Sequence, residues 1–408
     1  MTKTLMTTIL CVVLTTVTFG QDAATPKRIG IIGTTTSHVP AFARQINDPN
    51  GDALMQRYQV TAAYAGGMPD NPSSWNRVAE YTKNLTDLGV TTYPSIEEML
   101  KHVDFVLLES VDGRPHLEQA KPVIAAGIPM YIDKPVAGSL ADALEIYRLA
   151  EEKNVPIFSA SSLRYGKNVQ NIRNNKPHGA VLGCDAFSPC SYNEKHPDLY
   201  WYGVHGVETL FSFMGPGFKS VSRTHTDNTD VVVGLWDDGR IGTFRGTRSG
   251  THDYGARVFM EKATVDAGQY DSYAPLVIEI CNFFDTLQPP VDPRETIEIF
   301  AFMTAADISK AENGRVVTLQ EAIDRAKAEV PVIKNIVIPA DYGKQLPAIV
   351  IIDNMKVPAT NLKAFLQPQN ADEVIKVILR SEKGVDFSHV QEVLKQLDEV
   401  YLANYLYE

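Results

Sequence analysis

The residues best able to do chemistry sit in three short stretches. Asp133-Lys134-Pro135 follows the apolar run from Ile128 to Ile132 and precedes an amphipathic segment that runs from Ala137 through Leu149. Strand, polar turn and helix is the natural reading, and an ammonium at the carboxyl end of a parallel strand faces the ligand crevice. The proline ends the strand and fixes the backbone that carries the lysine. A solvated strand-end lysine is the bland alternative. In the second stretch, Gly30-Ile-Ile-Gly33 closes an apolar strand and opens into Thr34-Thr35-Thr36-Ser37-His38 and a helix from Val39 to Ile46. Free N–H groups and the dipole at that helix start make an anion-binding corner, where the hydroxyls either bind phosphate or cap the helix. The third stretch, Asn193 to His205, is dense in aromatic and polar groups, Tyr202 among them. Such a mixture suits a sugar ring, and equally suits a buried aromatic cluster. His196 and His205 with Glu194 and Glu208 could be read as metal ligands, but the spacing fits no zinc motif and no metal is expected.

These stretches need a scaffold. Strand-like runs at Tyr58 to Tyr64, Thr91 to Tyr93 and Asp104 to Glu109 alternate with helix-like segments at Trp75 to Leu85, Ser95 to Leu100 and Leu117 to Ala126. That alternation predicts a doubly wound parallel sheet with ligands at the strand carboxyl ends, where Lys134 lies. One feature of a dinucleotide site is missing. After the second strand stands Ala65-Gly66-Gly67 rather than an acid for the adenosine ribose, with Asp70 only later.

From Ala180 the pattern changes to short strands at Val181 to Phe187, Ser220 to His225, Val231 to Trp236, Arg240 to Arg245 and Ala256 to Glu261, separated by Asp- and Gly-rich turns. This is hairpin chemistry, and it predicts a mostly antiparallel sheet. Helices follow at Pro275 to Leu287 and Arg294 to Ala311, expected to pack on the amino-terminal domain. A Pro-punctuated stretch, Pro331 to Pro347, precedes a small domain over 348–408 with strands at Ala348 to Asp353 and Val374 to Arg380 and helices at Thr360 to Leu366 and Ser388 to Ala403.

The chain has 408 residues and a net charge of −11, with no Lys/Arg-dense run, which argues against nucleic acid or an anionic membrane as a partner. A small molecule is the better expectation. Residues 1–20 read as a secretory leader: Lys3, an apolar core from Leu5 to Phe19, and small residues before Gln21. The core is shorter than the roughly 20 residues that cross a bilayer, so cleavage and a periplasmic or secreted location are expected, with no retained span. Cys184, Cys190 and Cys281 then remain, an odd and sparse set that reads as buried thiols rather than a disulfide framework.

With these pieces in order, the chain resembles the glucose-fructose oxidoreductase, inositol dehydrogenase and MocA family over about Lys27 to Ala326. Asp133-Lys134-Pro135 is similar to the family's Glu-Lys-Pro, Ser110 to His116 to its Thr-Pro-x-x-x-His turn, Leu163-Arg164-Tyr165 to its Arg-Tyr/Phe signature, and Gly203 to Glu208 to its Gly-x-His-x-x-Asp helix start. The resemblance implies a Rossmann domain over residues 27–160 and an α/β domain over 161–328 whose open sheet backs the active site and often mediates oligomers. It implies catalytic roles for Lys134 and His205, and NAD or NADP, even tightly held, against Gly30, Gly33 to His38, Ser110, His116, Asp133 and Lys134. Substrate would meet Arg164, Tyr165, Tyr202 and Glu208. Glu208 stands for the family's usual Asp, and Trp201 where another Asp is frequent. The tail loosely resembles the periplasmic domain of ExbD/TolR proteins and suggests a protein partner. Three activities are compatible with this: oxidation of a sugar or polyol hydroxyl, glycoside cleavage or elimination through transient oxidation by tightly bound NAD, and carbohydrate binding without catalysis.

Overall fold

The computed structural model describes residues 25–329 and the backbone of four further strand segments. The leader and the tail helices expected at 360–366 and 388–399 lie outside the described residues. Strands β1 (Lys27–Ile32), β2 (Tyr58–Tyr64), β3 (Thr91–Tyr93), β4 (Phe105–Leu108), β5 (Met130–Ile132) and β6 (Ile157–Ser159) form one parallel sheet in the order β3-β2-β1-β4-β5-β6. β4 and β5 are buried at every position, as central strands covered on both faces must be. The order reverses between β1 and β4, and the chain ends there diverge to leave a crevice.

Local chemistry sets the helix limits. Ser139 Oγ accepts from Asp142 N at the start of the helix Leu140–Lys153, and Asn154 closes it in the left-handed region at φ 54°. Ser95 caps Ile96–Leu100 in the same way, and Asp292 with Pro293 starts Pro293–Ala311. The helix expected over residues 75–85 is broken into Pro72–Trp75 and Val78–Asp87.

Strands β7 (Val181–Pro189), β8 (Phe218–His225), β9 (Thr229–Trp236), β10 (Ile241–Thr247), β11 (Gly255–Met260), β12 (Thr264–Ala267) and β13 (Val317–Thr318) build the second sheet in the order β12-β11-β7-β10-β9-β8-β13. Only β7 and β10 pair in parallel. One face is covered by helices, and the other exposes Phe187, Val233, Leu235, Ile241 and Phe259. The helix Ala274–Thr286 returns to the first domain, where its Leu276, Ile280 and Phe284 join Ile29, Tyr58 and Phe105 in one core. Asp285 at its end accepts from Tyr58 Oη at 2.5 Å and Lys27 Nζ at 3.3 Å. The helix Pro293–Ala311 meets the first domain at Leu140–Lys153, as expected, and also packs Phe302 on Phe218 and Trp236 of the second sheet, ring centroids 5.4 and 6.3 Å apart. Cys184, Cys190 and Cys281 are buried free thiols.

In the tail, β14 (Asn335–Ile336), β15 (Ala348–Asp353), β16 (Ile375–Ser381) and β17 (Val400–Tyr407) form a sheet in chain order, antiparallel at β14 and parallel beyond. The helix expected to reach Ala403 is corrected: residues from Val400 on are strand, as their valine and tyrosine content favours. Among the described residues no helix is long and apolar enough to cross a membrane.

Candidate functional site

Three adjacent strand ends supply the floor of the site. Glu109 N donates to Ile32 O at 2.7 Å and Asp133 N to Leu108 O at 2.8 Å, so β1, β4 and β5 finish in register. Gly33, at φ +81°, turns the chain out of β1, and a Cβ there would lie 2.2 Å from Ser110 Oγ. That turn delivers His38 to the first turn of the helix His38–Ile46. Its Nδ1 lies 3.1 Å from Asp133 Oδ2 and 4.0 Å from Glu109 Oε2. The ring stacks on Phe42 at 5.0 Å and meets the edge of Tyr273 at 4.6 Å. Thr36 Oγ1 donates to Glu109 Oε2 at 3.2 Å, and Tyr131 Oη donates to Ala160 O at 2.9 Å with Asp133 Oδ1 at 3.2 Å.

The two carboxyls are driven apart. Burial, reinforced by the negative charge of Asp133, pushes Glu109 well above the usual carboxylate range. Burial would also raise Asp133, but the His38 and Lys134 charges outweigh it and hold that carboxyl well below its ordinary value.

The second domain supplies the opposite wall. Helix Val204–Met214 packs so tightly on β10 that a Cβ on Gly206 would lie 2.3 Å from the Phe244 ring, and this close approach fixes His205 at the crevice. His205 Nδ1 is 3.0 Å from Ser161 Oγ, and its ring lies 5.3 Å from Tyr202 and 5.8 Å from Tyr254. Burial, then the Lys134 and His38 charges, lower the His205 pKa well below that of free imidazole. Tyr254 Oη donates to Tyr202 Oη at 3.1 Å. A cavity of about 440 Å³ runs between the walls, lined by Thr36, Ser37, His38, Lys134, Tyr202 and His205. Five of those six came from the motifs at the strand ends and the helix starts; Tyr202 came from the aromatic stretch.

Other expected residues stand elsewhere. Gly30 is inside β1, with Met99 against it, where it admits the helix Ile96–Leu100. Thr34 and Thr35 are buried; Thr34 Oγ1 bonds Thr82, and Thr35 Oγ1 accepts from Val111 N. Ser110 Oγ donates to Gln119 Oε1 at 2.8 Å behind the loop. His116 is buried between two loops, Nε2 2.9 Å from Ser110 O and Nδ1 3.2 Å from Val136 O, and burial lowers its pKa. Arg164 lies beneath the cavity floor of the second domain, with Nε donating to Glu208 at 2.8 Å and Nη1 to Glu295 at 2.7 Å. Tyr165 is buried in the core with Ile280 and Phe283. Arg164, Tyr165 and Glu208 therefore hold the wall in place and do not line the cavity.

His196 likewise serves as a strap. Its Nε2 lies 2.9 Å from Asp112 Oδ1, across from the Arg114 and Asn71 side chains that also donate to Asp112. The residues that sequence reasoning missed are Glu109, Ser73, Arg77, Tyr254 and Tyr273. Glu109 had a signal, since it follows β4 as Asp133 follows β5; Ser73 comes from the short helix Pro72–Trp75 and Arg77, Tyr254 and Tyr273 from turns and loops, with no local mark.

The floor fits the anionic part of a dinucleotide. No side chain caps the helix His38–Ile46, and Arg77 lines the same end of the cavity while its Nη1 donates to Thr35 O at 3.3 Å. Asp70, the first acid after β2, is engaged by Arg114 at 2.8 and 2.9 Å.

Comparison with known proteins agrees with this architecture. The chain is 28% identical over 284 residues to the uncharacterized protein YMR315W of Saccharomyces cerevisiae, a match spanning 62% of this chain and 77% of the relative. The structure of scyllo-inositol dehydrogenase from Lactobacillus casei with bound NAD(H) and scyllo-inositol superposes with a TM-score of 0.58 at 15% identity, covering 72% of this chain and 100% of that one. Myo-inositol 2-dehydrogenase from Lactobacillus plantarum gives 0.59 at 17%, covering 72% and 99%. At such identities the likeness shows the fold. The family model described as oxidoreductase family, NAD-binding Rossmann fold, matches residues 27–161. Residues 27–161 are thus similar to the NAD-binding Rossmann domains of the Gfo/Idh/MocA oxidoreductase family.

Proposed function

We propose that the chain oxidises or reduces a hydroxyl carbon of a sugar or polyol with a nicotinamide dinucleotide, NAD or NADP, in an exported protein whose leader is removed. The observation that carries this reading is the convergence of Lys134 and His205, from different domains, on one cavity beside an uncapped helix start. Thr36, Ser37 and His38, with Arg77, would hold the diphosphate of the dinucleotide. The bound nicotinamide supplies the hydride acceptor or donor.

The chain's own residues handle the proton. His205 is neutral at physiological pH because its burial and the neighbouring cations disfavour imidazolium. With Nδ1–H donated to Ser161 Oγ, Nε2 is free to accept the proton of a substrate hydroxyl. The Lys134 ammonium stabilises the alkoxide that develops, with Tyr202 and Tyr254 lining the same cavity. Those rings, each with a phenol oxygen, offer a sugar an apolar face and hydrogen bonds together.

A second reading, elimination or glycoside cleavage through transient oxidation with tightly held cofactor, draws on His38. That imidazole gives the cavity a second acid–base group, on the wall facing His205.

The test is to denature the purified protein, analyse the supernatant for NAD(P) by mass spectrometry, and screen polyols and glycosides for turnover. A nucleotide signal or calorimetric binding of added NAD(H) or NADP(H) is expected. Absence of both would sink the oxidoreductase reading, and a His205→Ala enzyme at the wild-type rate would remove the proton-transfer role.

A further inference from the structure

Beneath the cavity, His38, Glu109 and Asp133 turn one ligand atom each toward a common point, and these atoms all lie within 4.8 Å of one another. Two of the separations are 3.1 Å, His38 Nδ1 to Asp133 Oδ2, and 4.0 Å, His38 Nδ1 to Glu109 Oε2. The donors are about as buried as any in the molecule: His38 is 5% exposed and the two acids 0%. His38 Nδ1 and Asp133 Oδ2 face each other as a close pair, and Glu109 Oε1, on a fully buried side chain, is without a hydrogen-bond partner. A buried carboxyl oxygen left unpaired is costly unless something is bound to it. Lys134, which lines the cavity, adds its charge to that of His38 against Asp133, but neither supplies a partner for Glu109 Oε1.

We propose that His38, Glu109 and Asp133 form a binding site for a divalent first-row transition-metal cation, set in the floor of the cavity. One imidazole and two carboxylates are the mixed nitrogen and oxygen donors that suit zinc or manganese rather than calcium or magnesium, which prefer oxygen alone. Three protein donors leave a coordination position open, as catalytic sites of this class do. His38 and Thr36 both line the cavity, so that position faces the substrate space, where it would take a hydroxyl oxygen of a polyol. Thr36 Oγ1, donating to Glu109 Oε2, is an outer partner that orients the ligand.

The site shares His38 and Thr36 with the dinucleotide reading and rests on it for the polyol oxygen, and the experiment keeps the two separate. The full chain, carried on a tag without histidine and purified without chelator, is assayed for bound metals by plasma mass spectrometry and, on the same sample, for nucleotide. Chelator-treated protein is then titrated with zinc and manganese chlorides by calorimetry, with calcium as the control. About one equivalent of zinc or manganese is expected, with release of protons on binding. Glu109→Gln should weaken binding by more than about tenfold, the lower end of what even outer partners contribute. If that variant fails to fold, Asp133→Asn serves in its place, and the zinc-dependent rise in wild-type melting temperature is read directly. No retained metal and no binding heat in the wild type would overturn the proposal, as would a folded Glu109→Gln protein that binds like the wild type. Nucleotide present without metal would leave the oxidoreductase reading standing and this one refuted.

Discussion

His38 and His205 enter the same cavity from different domains, the first against two carboxylates on the Rossmann side, the second against a serine and a lysine on the far side. The floor gathers negative charge that needs a proton or a cation to balance it, and burial of Glu109 makes that need acute. The wall needs nothing of the kind: desolvation and the adjacent cations keep His205 neutral, with one nitrogen engaged by Ser161. Identical side chains are thus set to opposite tasks by what surrounds them.

The largest way to break this contrast is to remove the wall's base. His205→Ala should lower kcat by about 100- to 10,000-fold with the fold intact, measured by turnover and melting temperature on whichever substrate the screen yields. Behind the same wall, Glu208→Ala should act on stability rather than chemistry. Arg164 would lose one of its two buried partners, at a cost of about 3–5 kcal/mol in urea unfolding, with KM unchanged for the folded fraction. A raised KM at unchanged stability would instead place Glu208 against substrate.

Lys134→Met sharpens the comparison through pH. Burial and, after it, the ammonium lower the His205 pKa, so removing the ammonium raises that pKa, and the acidic limb of the kcat/KM profile should move to higher pH along with a loss of rate. A limb that stays in place would dissociate the lysine from His205. The smallest effect concerns the floor. In chelator-treated protein Glu109 holds a proton that the unfolded chain releases above about pH 4.3. The native state then binds more protons than the unfolded one, and stability falls as pH rises through that window. Glu109→Gln has no proton to lose, so its melting temperature should gain on the wild type's as pH rises above that point, and zinc should reverse that order.

Much of the fold was legible along the chain. β1, β2, β4 and β5 are fully or largely buried strands followed by polar turns, and a strand buried on both faces must be apolar at nearly every position. The second sheet alternates buried and exposed residues in β7 and β9, which is why β7 to β11 could be placed within about two residues, while the four-residue β12 was not read. The breaks came where local preference was overruled or silent. The short strands β6 and β13 are too brief to show a period, and the tail's β17 falls where a helix was expected. In the site, Lys134, His205 and His38 announce themselves by position at strand ends and helix starts. Arg164 and Glu208 carry the same charge pattern as ligand-binding residues, and nothing in their spacing reveals that they bind each other.

What the sequence determined by itself is the set of strand ends and helix starts, because hydrophobic period and turn residues act over a few neighbours. It thereby set Lys134 and His38 at the ligand edge of a parallel sheet. What only the tertiary structure decided is which charges meet. Glu109 and Asp133 become neighbours because β4 and β5 pair in register, and His205 reaches them across a domain boundary because Gly206 lets its helix press against Phe244. Electrostatic interaction depends on distance in space and on exclusion of water, and neither is written in the order of residues.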